Sequence, residues 1–262
     1  MKEKLTIVKV GGAVVEDEQQ LERLLTHFRN IEGLKVLVHG GGRRATKVAE
    51  RLGIETHMVG GRRITDEPML EVVTMVYGGL VNKQVVARLQ QQGVNALGLT
   101  GADADVIRSH KRQLRMVDGS PVDFGFVGDV DQADGTMLSR LLQAGITPVM
   151  APLTHDGEGH ILNTNADTIA SETAKALAPF YDVTLIFSFE KAGVLSNPDD
   201  EASVIPLITH DDFERLKADG TISGGMLPKI ENALAAVDSG VSRVVITLAT
   251  AIDGKHGTEI RK

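Results

Sequence analysis

The sequence predicts an α/β protein on a largely parallel sheet that is covered on both faces. Short apolar, β-branched runs recur along the chain, most of them nearly continuous in hydrophobicity, as strands buried on both sides are. Between them lie stretches with apolar residues at helical spacing. Strand and helix patterns alternate, and that alternation calls for parallel strands joined by crossover helices.

The elements follow in order. Leu5–Val10 is the first strand run and leads into Gly11-Gly12. Glu16–Asn30 places Leu21, Leu24, Leu25 and Phe28 on one helical face. Leu34–Val38 is the second run and leads through His39 into Gly40-Gly41-Gly42. The longest helical pattern spans about Glu67 to Gln92. Gly78-Gly79 interrupts it, which predicts a kink or a close helix–helix contact. Ala96–Thr100 and Ile146–Ala151 are further strand runs. Asn165–Leu177 reads as a helix, Val183–Phe187 as a strand and Pro228–Val237 as a helix carrying Ile230, Ala233, Leu234 and Val237. Val244–Leu248 is the last strand run. No fixed-period repeat or low-complexity linker divides the chain. The strand–helix rhythm restarts after Asn163–Asp182, so the chain reads as two lobes over one continuous sheet, residues 1–175 and 176–262.

Composition narrows the function. The 28 Lys+Arg against 35 Asp+Glu give a net charge of −7, which argues against general affinity for nucleic acid or anionic membrane. Lys9 breaks the only apolar stretch at the start, so no signal peptide is expected, and no run approaches the ~18 apolar residues of a membrane span. A cytoplasmic, soluble protein is the expectation. The absence of cysteine excludes disulfides, thiol catalysis and cysteine-based metal sites. The 28 glycines among 262 residues exceed the usual ~7%, and many fall in doublets and a triplet.

The chemistry gathers at those glycines. Neither GxxxxGK[ST] nor a strand-borne GxGxxG is present, so the P-loop and dinucleotide fingerprints are missing. Instead a strand runs straight into glycines at Lys9-Val10-Gly11-Gly12 and again at His39-Gly40-Gly41-Gly42. The carboxyl edge of a parallel sheet is where ligands bind, and glycine lets backbone N–H groups approach an anion at a helix start. One such doublet alone reads as a tight turn; two ending adjacent strand patterns favour anion binding. Strand alternation lets Lys9 point toward that edge.

In Asn163-Thr164-Asn165-Ala166-Asp167, Asn165 suits an N-cap and Asp167 a first helical turn. Beyond that structural role, Asp167 could hold lysines in position or ligate a metal. Gly224-Gly225-Met226-Leu227-Pro228-Lys229 opens another helix, with Lys229 about one turn in. A lysine there opposes the helix dipole, and an anion-binding role explains it better than solvation. Arg43-Arg44 and Arg62-Arg63 follow glycines, where solvated arginines become candidates for carboxylate or phosphate forks. His39 reads as a packed or hydrogen-bonded residue, and no Ser/His/Asp arrangement stands out.

Taken in order, Lys9-Val10-Gly11-Gly12, His39-Gly40-Gly41-Gly42, Gly61-Arg62-Arg63-Ile64-Thr65, Gly98-Leu99-Thr100-Gly101-Ala102-Asp103, Asn163 to Asp167 and Gly224 to Lys229 resemble the amino acid kinase superfamily. Within it the match is most closely to the N-acetylglutamate kinases, and it covers essentially the whole chain. The resemblance implies a three-layer αβα sandwich and an ATP-dependent enzyme. Its reaction would be phosphorylation of the γ-carboxylate of N-acetyl-L-glutamate, or a related N-acylglutamate, in arginine biosynthesis.

By the same resemblance Lys9 and Lys229 grip the transferring group and Asp167 orients both lysines. Gly41, Gly42, Arg63 and Asn163 hold the acylglutamate in the first lobe. Gly11, Gly12, Ser188, Gly193, Gly225 and Met226 contact the nucleotide or its phosphates, with ATP held by the second lobe. Mg2+ is carried by ATP, with no side-chain ligand. The segment Phe187-Ser188-Phe189-Glu190-Lys191-Ala192-Gly193 departs from the family, which has a Ser/Thr-Asp-Val-x-Gly loop where this chain carries a phenylalanine for the aspartate and one inserted residue. Only Met1–Lys4 precede the first strand, where arginine-inhibited hexameric relatives carry an extra helix. An arginine-insensitive homodimer built through Glu67–Gln92 is therefore expected. Two other readings share the fold: a kinase of an aminoadipate derivative, and a non-catalytic nucleotide-binding sensor.

Overall fold

A computed structural model of the chain describes residues 2–117 and 119–262. Its central sheet has eight strands, in the order Leu207–Ile208, Thr258–Ile260, Arg243–Leu248, Asp182–Phe189, Lys4–Val10, Leu34–His39, Thr147–Met150 and Ala96–Leu99. Neighbours run parallel except Arg243–Leu248 with Thr258–Ile260. Strands from both proposed lobes thus share one hydrogen-bonded sheet, and Lys4–Val10 lies between Asp182–Phe189 and Leu34–His39.

Alternation along each strand builds the layers. Leu5, Ile7, Leu185 and Val244 face one apolar cluster, with Ile169, Leu177, Ile230 and Leu234 from the helices Ala166–Leu177 and Leu227–Asp238. Val8, Val10, Ile186 and Val245 face the opposite cluster, with Leu21, Leu24, Leu25 and Phe28 from Glu18–Arg29. Because the helix patterns are amphipathic and the strands apolar on both sides, the chain closes as helix, sheet, helix.

The long helical pattern at 67–92 is continuous but not uniform. Asp66 caps Glu67–Val73 by accepting from Met69 N–H at 2.9 Å, and Asn82–Gln91 is again α-helical. Between them Thr74–Val81 is a π-helix, and Asn82 N–H reaches back to the carbonyl of Tyr77. Gly78-Gly79 therefore lies at a change of helical winding. A side chain at Gly78 would press on Leu153 and Thr100, outside any helix.

Features invisible in the hydrophobic pattern are a four-stranded sheet, Ile161–Asn163, Leu153–His155, Ile107–Lys111 and Gly128–Ala133, and two hairpins, Met58–Val59 with Arg62–Arg63 and Arg115–Val117 with Ser120–Val122. Among the described residues no helix is long and apolar enough to cross a membrane.

Candidate active site

The site lies at the carboxyl ends of the central strands. Lys9 is next to last in its strand, with the same parity as Leu5 and Ile7, so it faces the layer containing Ala166–Leu177. Asn165 caps that helix by accepting from Asp167 N–H at 2.7 Å, which aims the first turn at the sheet edge. Lys9 Nζ and Asp167 Oδ1 meet at 2.7 Å, both largely buried. Lys229, in the first turn of Leu227–Asp238, reaches the same region. Its ammonium lies 3.9 Å from the ring centre of Phe189, and Lys9 Nζ lies 5.2 Å from that ring. Burial holds the Lys229 ammonium below its ordinary pKa; Asp167 and Glu190 oppose that shift and Lys9 adds to it. Lys229 has no carboxylate within ion-pair distance among the described residues, so Asp167 pairs directly with Lys9 alone and reaches Lys229 through space.

The glycine loops abut one another. Gly40 N–H donates to the Val10 carbonyl at 3.0 Å. A Cβ on Gly40 would sit 3.2 Å from Gly12 N, and one on Gly41 would sit 2.8 Å from the Tyr77 ring. Gly41 is therefore glycine because the π-helix pushes an aromatic ring against it. Gly11 and Gly41 stand at the starts of the helices Gly12–Glu16 and Gly42–Arg51, and a Cβ on Gly12 would sit 3.6 Å from Gly41 N.

Beside the loops is a cavity of about 220 Å³ lined by Gly41, Gly42, Arg63, Tyr77 and Asn163 and reaching Asn165 and Ala166 at the start of the Asp167 helix. Arg63 is anchored rather than loose. Its Nη2 donates to the Gly42 carbonyl and Thr46 Oγ1, each at 2.9 Å, and Nη1 to Thr56 Oγ1 at 3.3 Å. Asn163 Nδ2 donates to Thr65 Oγ1 at 2.9 Å. Arg62 and Arg112 complete a cationic rim; Arg112 is buried and forks Asp129, with its Nη2 at 2.6 Å. The arginine end of the cavity can hold an anion, and its lining runs to Asn165 and Ala166, just before Asp167.

A family model, the amino acid kinase family, matches residues 4–248. The chain belongs to the amino acid kinase family. It is 62% identical to the protein named acetylglutamate kinase of Bacteroides fragilis over all of this chain and 98% of that one. It is also 62% identical to the acetylglutamate kinase of Phocaeicola vulgatus, over the full length of both. Among solved structures, smu.665 from Streptococcus mutans UA159 aligns with a TM-score of 0.78 at 28% identity, covering 98% of each chain.

Against this family frame, the sequence-predicted residues divide into two groups. The fold brings together Lys9, Asp167, Lys229, Gly11, Gly12, Gly41, Gly42, Arg63 and Asn163. Met226 ends the short helical turn Gly224–Met226, which also contains Gly225, just before the Lys229 helix. Two further expected nucleotide contacts, Ser188 and Gly193, lie in closely packed surroundings. Ser188 is fully enclosed in its strand, with no hydrogen-bond partner for its hydroxyl among the described residues. Gly193 is glycine for packing: a Cβ there would lie 2.7 Å from Thr258 Oγ1 and 2.8 Å from Val204. The sequence reading missed Phe189, Tyr77 and Arg112. Phe189 carried a signal, since it interrupts the family pattern; the other two depend on which way a helix or a loop turns.

Proposed function

We propose that this chain phosphorylates the γ-carboxylate of N-acetyl-L-glutamate, or of a closely related N-acylglutamate, with ATP. The observation that carries the reading is that the Arg63 cavity is lined as far as Asn165 and Ala166, the residues immediately before Asp167, which pairs with Lys9 and acts through space on Lys229. High identity to proteins named acetylglutamate kinase supports the choice of substrate.

The chemistry asks little of the protein. A carboxylate is already ionised at neutral pH, so its oxygen attacks the γ-phosphorus without a general base. The new O–P bond forms as the bond to the β–γ bridging oxygen breaks, ADP leaves with that electron pair, and no proton moves. Catalysis is then positioning and neutralisation of charge on the moving group. Lys9 and Lys229 supply the positive charge, and the N–H groups of the two glycine loops supply dipoles beside them. Asp167 fixes Lys9 through their 2.7 Å ion pair. Arg63 takes the α-carboxylate at the far end of the cavity, and Asn163 takes the amide. Asp167 is committed to Lys9 at 2.7 Å, so these residues fit a magnesium ion carried by the phosphates of ATP rather than by a side chain.

Acylglutamate binds in residues 1–175 and ATP in residues 176–262 on this reading. The enzyme acts in the cytoplasm on the route to arginine, as a homodimer. Exposed Met75 on the π-helix and exposed Leu97 on the edge strand Ala96–Leu99 support that interface. The test is ATP-dependent acyl-phosphate formation, trapped with hydroxylamine, comparing N-acetyl- and N-succinylglutamate. Formation of the hydroxamate is expected; its absence with every N-acylglutamate would remove the proposal.

A further inference from the structure

Phe189 ends the strand Asp182–Phe189, which is hydrogen-bonded along its length to the Lys9 strand. Phe187 and Phe189 share one face of the strand, and their rings stack at 6.3 Å with 19° between planes. Phe187 is buried, so the stack holds the Phe189 ring still. That ring faces two ammonium groups, Lys229 at 3.9 Å and Lys9 at 5.2 Å. The two cations repel, and Asp167 pairs directly with Lys9 alone.

We infer that Phe189 is a positioning residue, whose π-face holds the Lys229 ammonium at the transfer locus until a phosphate arrives. The negative face of an aromatic ring attracts a cation without cancelling its charge. The ring leaves the two lysines and Asp167 with a net positive charge for the transferring phosphoryl group. The charged groups that bear on Lys229 are Lys9, Asp167 and Glu190, and all three are left in place by a change at Phe189.

The inference rests on the role proposed for Lys229, so its test has two arms. Phe189→Leu keeps an apolar side chain on Phe187 and removes the π-face; Phe189→Tyr keeps both. In the hydroxylamine assay Phe189→Leu is expected to lower kcat about tenfold with KM for the acylglutamate within twofold, while Phe189→Tyr stays within about twofold of wild type. In the ligand-free protein, labelling by an amine-selective acylating reagent, read at Lys229 by mass spectrometry, is expected to be several-fold faster in Phe189→Leu only. Less of its Lys229 is held as the ammonium ion. An unchanged kcat or labelling rate in Phe189→Leu, or equal impairment in both variants, would overturn the inference. Failure of the wild-type protein to make an acyl phosphate would overturn the kinase reading instead, and the labelling arm would still decide the role of Phe189.

Discussion

Asn82 Nδ2 lies 3.1 Å from Nε2 of His39, across the boundary between the long helix and the glycine triplet. His39 Nδ1 lies 2.8 Å from the Gly40 carbonyl, which can only accept, so Nδ1 carries the proton and Nε2 accepts from Asn82. Asn82 is held in turn by donating to the Val149 carbonyl at 2.9 Å and accepting from Lys83 at 3.1 Å. The first residue of the α-helix Asn82–Gln91 therefore reaches the glycine triplet through one neutral imidazole.

Complete burial, with a smaller contribution from Lys83, lowers the His39 pKa from 6.5 to about 4, against the Gly40 hydrogen bond. The unfolded chain binds this proton first, so the contribution of neutral His39 is complete above pH ~6.5 and fades as the pH falls toward ~4. It amounts to about 3 kcal/mol. Urea unfolding of wild type and His39→Gln at pH 7 and pH 4 should show the gap between them shrinking by that order. NMR titration of the His39 ring should give a midpoint near 4. A midpoint near 6.5 would refute the neutral, enclosed histidine.

Lys229→Ala should reduce kcat by about 100-fold and leave both KM values within a few-fold, since its charge acts on the moving phosphoryl group. Steady-state kinetics decide this. A rise in KM for ATP with kcat intact would make Lys229 a ground-state anchor.

Arg63→Ala should raise KM for the acylglutamate at least tenfold with a smaller change in kcat. Arg63→Lys should recover little, because one ammonium cannot span Gly42, Thr46 and a carboxylate together. Unchanged KM in both variants would move the α-carboxylate elsewhere in the cavity.

Gly41→Ala puts a methyl group 2.8 Å from the Tyr77 ring. Overpacking of this kind costs about 1–3 kcal/mol and displaces the loop. Thermal unfolding and KM for the acylglutamate should both worsen, and Tyr77→Leu in the same chain should restore part of each. Loss without any recovery would mean that the loop itself, not the ring, excludes a side chain.

Legibility followed the reach of each residue's determinants. The strands were readable because burial on both faces leaves an unbroken apolar run, as in Val183–Phe187. Lys9 was readable because two residues of strand and a glycine pair fix its direction. The pairing of Asp167 with Lys9 needed a capped helix, and Asn165 announced that cap. The surroundings of Ser188 and Gly193 were not readable, because the burial of Ser188 in its strand and the packing of Gly193 against Thr258 and Val204 are long-range facts. The π-helix was half readable, since Gly78-Gly79 marked the place but not the winding. The two short hairpins are too brief and polar to show any period.

The position of the Lys9 strand also bears on when the protein can act during its own synthesis. Residues 4–10 pair with residues 34–39 early, but their other neighbour is 182–189, and Lys229 follows later still. A chain still emerging from the ribosome thus holds Lys9 on an unfinished edge, with neither Phe189 nor Lys229 beside it. The group of Lys9, Phe189 and Lys229 is complete only when the last third of the polypeptide has docked.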